Sequence, residues 1–269
     1  MQKNLYKRKF GCEFEYSTEF EDFASLAKRV IARIYGVGKI KIVEDWYKSD
    51  NNTKWDVKTD STTLVELCTP VSRFRDIKNI CNVIRSLSRN KSVLVTNNDS
   101  MHVHVDAHDI PKENILLLWL KYEKLIFSMF PRHRRVKNCY CKQSIENFPK
   151  SEKLIATFFK EALETTLDHH SAISFFFYKN NKKGRNTVEF RLGEGTTDPR
   201  FVRNWVLFLL YFLERCKNLE TPFEAICDKT VKVNCRTLEE MIEDLDIDDK
   251  GVIEWLQERF ITFNKNKYL

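Results

Sequence analysis

Four stretches of this chain carry carboxylates, imidazoles or a guanidinium at every second residue. Phe10-Gly11-Cys12-Glu13-Phe14-Glu15-Tyr16 sets Glu13 and Glu15 on one side, against Phe10, Cys12, Phe14 and Tyr16 on the other. Leu64 to Thr69 carries Glu66, with Asp60 shortly before it. Met101 to Ala107 carries His102, His104 and Asp106, and Thr187 to Leu192 carries Glu189 and Arg191. Successive strand side chains point to opposite faces, so each stretch reads as a strand with one apolar and one reactive face. Taken singly, Glu-x-Glu or Glu-Phe-Arg is also what a solvated surface strand carries. Taken together on one sheet, these acids repel unless cations neutralise them. Oxygen-rich sites with one or two imidazoles suit Mg²⁺ or Mn²⁺. Arg191 beside Glu189 suits a γ-phosphate or an acyl phosphate. The chemistry that follows is metal- and arginine-assisted phosphoryl transfer.

The remaining chain must position these strands. Phe20, Phe23, Ala24, Ala27, Val30, Ile31 and Ile34 give an apolar stripe at helical spacing, capped by Ser17 or Thr18 and ended by Gly36 and Gly38. Lys39 to Trp46 alternates as a strand, and Trp55 to Asp60 pairs with Leu64 to Pro70 through a turn at Asp60. Phe74 to Leu87 reads as a second helix and Ser92 to Thr96 as a short strand. Pro111 opens a helix to about Phe130. Arg132 to Lys142 reads as a basic loop, Ser151 to Leu167 as helix, and Ile173 to Tyr178 as a strand joined to Thr187 by the basic loop 179–185. Pro199 opens the most buried helix, to about Lys217. A capping box at Thr237 and Glu240 starts a short helix, and a last one runs from Lys250 to Phe260. Helices interleaved with antiparallel strands give an α+β chain.

Composition bounds the function without choosing it. A chain of 269 residues with 42% hydrophobic residues and 20 Phe supports a substantial core, and only 7 Gly and 6 Pro argue against a small all-β protein of tight turns. A net charge of +7 suits acidic metabolites, nucleotides or nucleic acid alike. The 8 cysteines lack zinc-knuckle spacing, and no secretory signal precedes them, so a reducing, cytoplasmic setting with free thiols is expected. The longest apolar run, Trp205 to Leu213, falls far short of the ~20 residues of a membrane span. No Walker-type loop or kinase signature is present, so a nucleotide would be held by metals and side chains.

These motifs resemble the amidoligase family of the glutamine synthetase/glutamate–cysteine ligase superfamily. The matching pieces are Phe-Gly-Cys-Glu-Phe-Glu (10–15), Trp-Asp-Val-Lys-Thr-Asp-Ser (55–61) with Glu-Leu-Cys-Thr-Pro (66–70), His-Val-His-Val-Asp (102–106), the arginine-rich segment with Asn138-Cys139-Tyr140-Cys141, and Thr-Val-Glu-Phe-Arg-Leu-Gly-Glu-Gly-Thr (187–196). The resemblance implies a curved antiparallel sheet of the glutamine synthetase type with helices on its outer face. It implies ATP- and Mg²⁺-dependent amide formation, with Mn²⁺ as an alternative ion, in which a substrate carboxylate is phosphorylated and an amine attacks the acyl phosphate. Carried over by motif, Glu13, Glu15, Glu66, His102 and Glu189 would be metal ligands. Asp60, a ligand or a gate for the amine, would join His104 and Arg191 as catalytic groups, and Lys58, Arg135 and Arg191 would contact the nucleotide. Relatives of this kind occur in bacteria and phages. Residues 1–218 would form the catalytic domain and 219–269, which match no motif, a helical extension packed on it. Ser100 and Met101 stand where the family often has a Cys-Gly or similar small pair.

Two other classes compete. His102-Val-His104-Val-Asp106-Ala-His108 resembles the His-x-His-x-Asp-His of metallo-β-lactamase-like zinc hydrolases, with His108 one residue late. The basic segments 132–137 and 179–185 would serve a metal-dependent nuclease or nucleic-acid-binding protein, but both read as loops and no stacking platform is evident. The zinc-hydrolase reading leaves the strand glutamates unexplained, and a degenerate ligase fold serving as a binding module is a third alternative, against which the intact set Glu13, Glu15, Asp60, Glu66, His102, Glu189 and Arg191 speaks. The partners of the ligase reading are small-molecule or peptide carboxylates and amines, not nucleic acid or a membrane, and a homo-oligomer stays open.

Overall fold

The computed structural model describes residues 5–43, 53–59, 64–136, 138–144, 153–154, 163–164, 170–176, 186–219, 231–232 and 237–264. In chain order the elements are β1 Phe10–Tyr16, α1 Phe20–Tyr35, β2 Ile40–Val43, β3 Trp55–Thr59, β4 Val65–Cys68, α2 Ile77–Ser88 (entered through a 3-10 turn, Phe74–Asp76), β5 Ser100–Asp106, α3 Lys112–Ser128, α4 Arg132–Arg135, β6 Lys153–Leu154, β7 Ile173–Ser174, β8 Thr187–Glu194, α5 Pro199–Lys217, β9 Val231–Lys232, α6 Leu238–Asp244 and α7 Lys250–Asn264. The chain is α+β. Gln2–Val105 with Gly193–Val206 form one compact unit, and Asp106–Leu192 with Leu207–Leu269 another. No helix among the described residues is long and apolar enough to cross a membrane.

In the first unit the strand order is β2-β3-β4-β1-β5. β1 runs antiparallel to β4 and to β5, and β3 antiparallel to β4. Among the described residues of this unit, only β2 departs from the expected antiparallel pattern, since it pairs parallel to β3. A parallel pair cannot be joined by a tight hairpin. Phe10, Cys12, Phe14, Tyr16, Trp55, Val57, Val65, Leu67, Met101, Val103 and Val105 are all buried on one side. Each fully buried large apolar side chain contributes ~1.5–3 kcal/mol, and a slip of one residue would exchange that whole row for Glu13, Glu15 and His102. The buried side therefore fixes the register that aligns the polar side.

Helix α1 packs on β2, β3 and α2 through Phe23, Ala24, Ala27 and Ile31, with Tyr16 and Phe23 rings 5.0 Å apart and Tyr35 set edge-on to Trp55 at 5.7 Å. Its start departs from expectation. Glu19 is the N-cap residue without a side-chain cap bond, because Ser17 donates to Asp99 (2.8 Å) and Thr18 to the Ser92 carbonyl. The same contacts remove the strand expected at Ser92–Thr96. The Ser92 carbonyl accepts from Thr18, the Leu94 carbonyl accepts from Ser17 N–H at 3.0 Å, and the Thr96 N–H goes to Asp99 at 2.6 Å, so no strand ladder forms.

The second unit is built on α3, whose Ile115, Leu116, Trp119, Ile126 and Phe127 are buried. Trp119 meets Phe190 of β8 at 5.7 Å and Phe212 of α5 at 6.0 Å. β7 pairs antiparallel to β8, aligning Ser174 with Glu189; of the strand expected to Tyr178, residues 177–178 lie outside the described residues. Lys153–Leu154 forms a strand with β9 instead of opening a helix: pairing with a distant segment overrides the local pattern. The rest of the helix expected to Leu167 lies outside the described residues save Leu163 and Glu164, which are helical. The Thr237/Glu240 capping box forms as expected, at 3.1 and 3.0 Å. α6 and α7 are tied to α3 through Asp244, which pairs with Lys121 (2.5 Å) and Tyr122 (2.6 Å), and through Asn264, which donates to the Ser128 carbonyl (3.1 Å).

Candidate active site

On the polar face of the first unit, residues far apart in sequence fall into cross-strand rows. Lys58, Glu66 and Glu15 are neighbours on β3, β4 and β1, and Asp56, Cys68, Glu13 and His102 form the next row through to β5. His104 stands opposite Gly11 one row further on. Directly opposed residues have Cβ atoms only ~5 Å apart, so this face concentrates three glutamates, an aspartate, two imidazoles, an ammonium and a thiol.

The contacts within it are specific. Glu13 lies between the two histidines, its Oε2 at 3.5 Å from His102 Nδ1 and its Oε1 at 3.2 Å from His104 Nε2. Burial would raise the Glu13 carboxyl, but the charge of His104, hydrogen bonds with His102 and His104, and Lys58 outweigh it and hold the group well below its ordinary value. Glu66 goes the other way. Burial and then the Glu13 charge push it up, although Lys58 and Cys68 bond its Oε1 at 2.6 and 2.7 Å. The Cys68 thiol is raised by burial and by Glu66 and Glu13. Burial opposes the Lys58 ammonium, yet Cys68, Glu66 and Glu13 keep its value above the ordinary one. Glu15 accepts from Ser100 N–H at 2.8 Å and from the Ser100 hydroxyl at 2.5 Å.

Single ligand atoms of Glu13, Glu66 and Cys68 lie within 4.8 Å of one another. The two carboxylates suit a hard divalent cation, which would relieve their repulsion, whereas the Cys68 thiol, raised by burial, is no ligand for one. Cys68 was not among the residues expected there. Neither was Ser100, although it shares the alternation of His102 and His104. Asp56, a third such residue, is buried on β3 opposite Cys68.

In the second unit Glu189 is buried on β8 and accepts from Arg191 Nη1 at 2.5 Å, while Arg191 Nε reaches the Tyr140 carbonyl at 3.3 Å. The expected basic loop contains the short helix α4. Its Arg135 donates to the Phe263 carbonyl (3.4 Å), whereas Arg134 is buried and donates to the carbonyls of Arg191 (2.5 Å) and Leu192 (3.4 Å). Arg134 thus steadies the strand that carries Glu189 and Arg191. Nothing in the run Arg132-His133-Arg134-Arg135 marks which arginine turns inward. His108 is exposed and pairs with Asp106 at 2.8 Å. Asp60 and the loop 179–185 lie outside the described residues. Six cysteines, 12, 68, 81, 139, 141 and 216, are free among the described residues.

The polar sheet face of the first unit thus aligns carboxylates with imidazoles, and the second unit by itself holds a carboxylate–guanidinium pair on β8. The chain belongs to the amidoligase family: the model of the family described as "Putative amidoligase enzyme" matches residues 6–213. That match spans Glu13, Lys58, Glu66, His102, Glu189 and Arg191. No curated protein matches the chain. Among solved structures, the ligase PafA, in its complex with the prokaryotic ubiquitin-like protein Pup, is similar with a TM-score of 0.42 and 10% identity, over 97% of this chain. This chain spans 65% of the length of that one.

Proposed function

We propose that the protein is an ATP- and Mg²⁺-dependent carboxylate–amine ligase working through an acyl phosphate, on the curved, glutamine synthetase-type sheet its family resemblance implies. The observation that carries this reading is the pair of adjacent cross-strand rows on β4, β1 and β5, Glu66 opposite Glu15 and Glu13 opposite His102, inside the segment that matches the family.

In this reading Glu13, Glu66, His102 and Glu189 hold the metal, Glu15 belongs to the same set, and Arg191 contacts the phosphate being transferred. Lys58, already beside Glu66, offers a second cation to the nucleotide. Arg135 is a further candidate for it, and Asp60 and His104 serve the incoming amine. Bound Mg²⁺ supplies charge neutralisation to the polyphosphate and the departing phosphoryl group. The protein supplies position: carboxylates fixed on sheet strands, and an arginine held by Glu189 and by the Tyr140 carbonyl before any substrate arrives. Phosphorylation turns the poor leaving group of a carboxylate into phosphate, and the amine then expels it to form the amide. Residues 219–269 form an extension to the catalytic part. The acid and the amine are small molecules or peptide groups.

Hydroxylamine tests the mechanism, because it intercepts an acyl phosphate as a hydroxamate. Incubation with Mg·ATP, hydroxylamine and pools of amino acids and peptides should yield hydroxamate only when ATP is present, and none with Glu13→Gln. ADP release with every acid pool but no hydroxamate would contradict the acyl-phosphate route.

A further inference from the structure

Ser100 is buried at the start of β5, two residues before His102. Its N–H donates to Glu15 Oε2 at 2.8 Å. Its hydroxyl lies 2.5 Å from that same oxygen and 2.7 Å from His102 Nε2. A hydroxyl has one proton to give, and an ionised carboxylate has none. The Ser100–Glu15 contact, at the short end for a hydroxyl on a carboxylate, therefore uses the hydroxyl proton. The Ser100 oxygen then turns a lone pair toward His102, and the 2.7 Å contact needs its proton on Nε2. The other ring nitrogen, Nδ1, faces Glu13 Oε2 at 3.5 Å. With Nε2 holding its proton against Ser100, Nδ1 is the atom left to Glu13: it donates to that carboxylate while no cation is bound, and a cation shared with Glu13 would take the place of that proton.

We propose that Ser100 is a positioning residue. The relay Glu15–Ser100–His102 fixes the Nε2–H form of the imidazole and aims Nδ1 at the cation held by Glu13. In this arrangement Glu15 works through Oε2 as the anchor of the relay, a role added to the ligation its motif implies. An Ala or Gly at position 100 would keep the backbone bond to Glu15 but remove the link to His102. The proposal rests on the metal-binding part of the ligase reading and needs neither ATP nor amide formation.

Nitrogen-15 NMR of the imidazoles of the metal-free protein tests it, with the His102 signals assigned by their loss in His102→Gln. In the wild type, Nε2 should resonate as a protonated nitrogen, and this signature should weaken in Ser100→Ala. An unprotonated wild-type Nε2 would overturn the relay, and that spectrum requires no variant of Ser100 to fold. A Mn²⁺ titration followed by electron paramagnetic resonance gives the second readout. Ser100→Ala should weaken Mn²⁺ about 10–100-fold, as losses of groups that orient metal ligands do. Adding it to His102→Gln should cost little more, because the two act through one contact. Unchanged Mn²⁺ affinity in a folded Ser100→Ala protein would overturn the proposal. Neither readout contains nucleotide, so an absence of Mg·ATP binding would count against the ligase and leave the relay standing. Normal Mg·ATP binding with an unprotonated Nε2 would do the reverse.

Discussion

Lys58 and Glu66 face each other on β3 and β4, with the ammonium 2.6 Å from Glu66 Oε1 and each side chain only 14% exposed. The pair matters because Glu66 also feels Glu13, and Lys58 is the cation that tempers it. Lys58→Met leaves a mostly buried carboxylate uncompensated and should cost about 3 kcal/mol in urea unfolding. The double variant Lys58→Met/Glu66→Leu removes both charges and should recover most of that loss. Equal destabilisation in the two variants would show that the pair matters only through packing.

Gly193 closes the approach of β8 to β5. A Cβ there would run into the Met101 carbonyl oxygen and come within 3.2 Å of the Trp205 indole nitrogen. The obstacle is backbone, which cannot rotate aside. Gly193→Ala should therefore destabilise by about 1–3 kcal/mol, read as a lower urea midpoint with an unchanged slope.

Asp244 gives a pH dependence away from the site. Burial would raise its carboxyl, but hydrogen bonds from Lys121 and Tyr122, the Lys121 charge and a bond from Arg215 hold it below its ordinary value. As pH falls the unfolded chain takes up this proton before the folded one does. The stabilisation is therefore complete above the unfolded value of about 3.9 and is lost as pH falls through the lower folded value. Asp244→Asn should be less stable at pH 7 and should lose less stability on acidification from pH 5. A parallel acid limb in the variant would contradict this.

Arg191 is held by two contacts, to Glu189 and to the Tyr140 carbonyl. A lysine keeps the charge but loses the planar fork. If the guanidinium meets a phosphate, Arg191→Lys should weaken Mg·ATP binding about tenfold, the loss of one charge-assisted hydrogen bond of ~1.5 kcal/mol. Calorimetric titration would measure it, and unchanged affinity would remove Arg191 from the nucleotide site.

The sequence made the faces legible and left the partners hidden. Strict alternation at 10–16, 64–69 and 101–107 assigned Glu13, Glu66 and His102 to polar faces, because the apolar alternates are the ones that form the core. That Glu13 stands opposite both Cys68 and His102 follows from strand order and register, which join residues 55 and 89 positions apart and leave no local trace. Ser17 read as a helix cap because nothing nearby in sequence announces Asp99 as its acceptor. Ser100 read as a departure from a family pattern, and its contacts with Glu15 and His102 become visible only once β1 lies beside β5. Lys153–Leu154 failed as a helix start for the same reason: its pairing partner lies near residue 231.

The proposed Mg·ATP site depends on Glu13. A thermal unfolding scan of wild type and Glu13→Gln, with Mg·ATP, with ATP and a chelator, and with Mg²⁺ alone, tests it without knowledge of either substrate. Nucleotide at a hundred times its dissociation constant adds about 2.7 kcal/mol, or roughly 5–10 °C for a chain of this size. A rise of that order is expected for the wild type with Mg·ATP, none when the metal is chelated, and none for folded Glu13→Gln. No rise in the wild type at saturating Mg·ATP, or the same rise in Glu13→Gln, would contradict it.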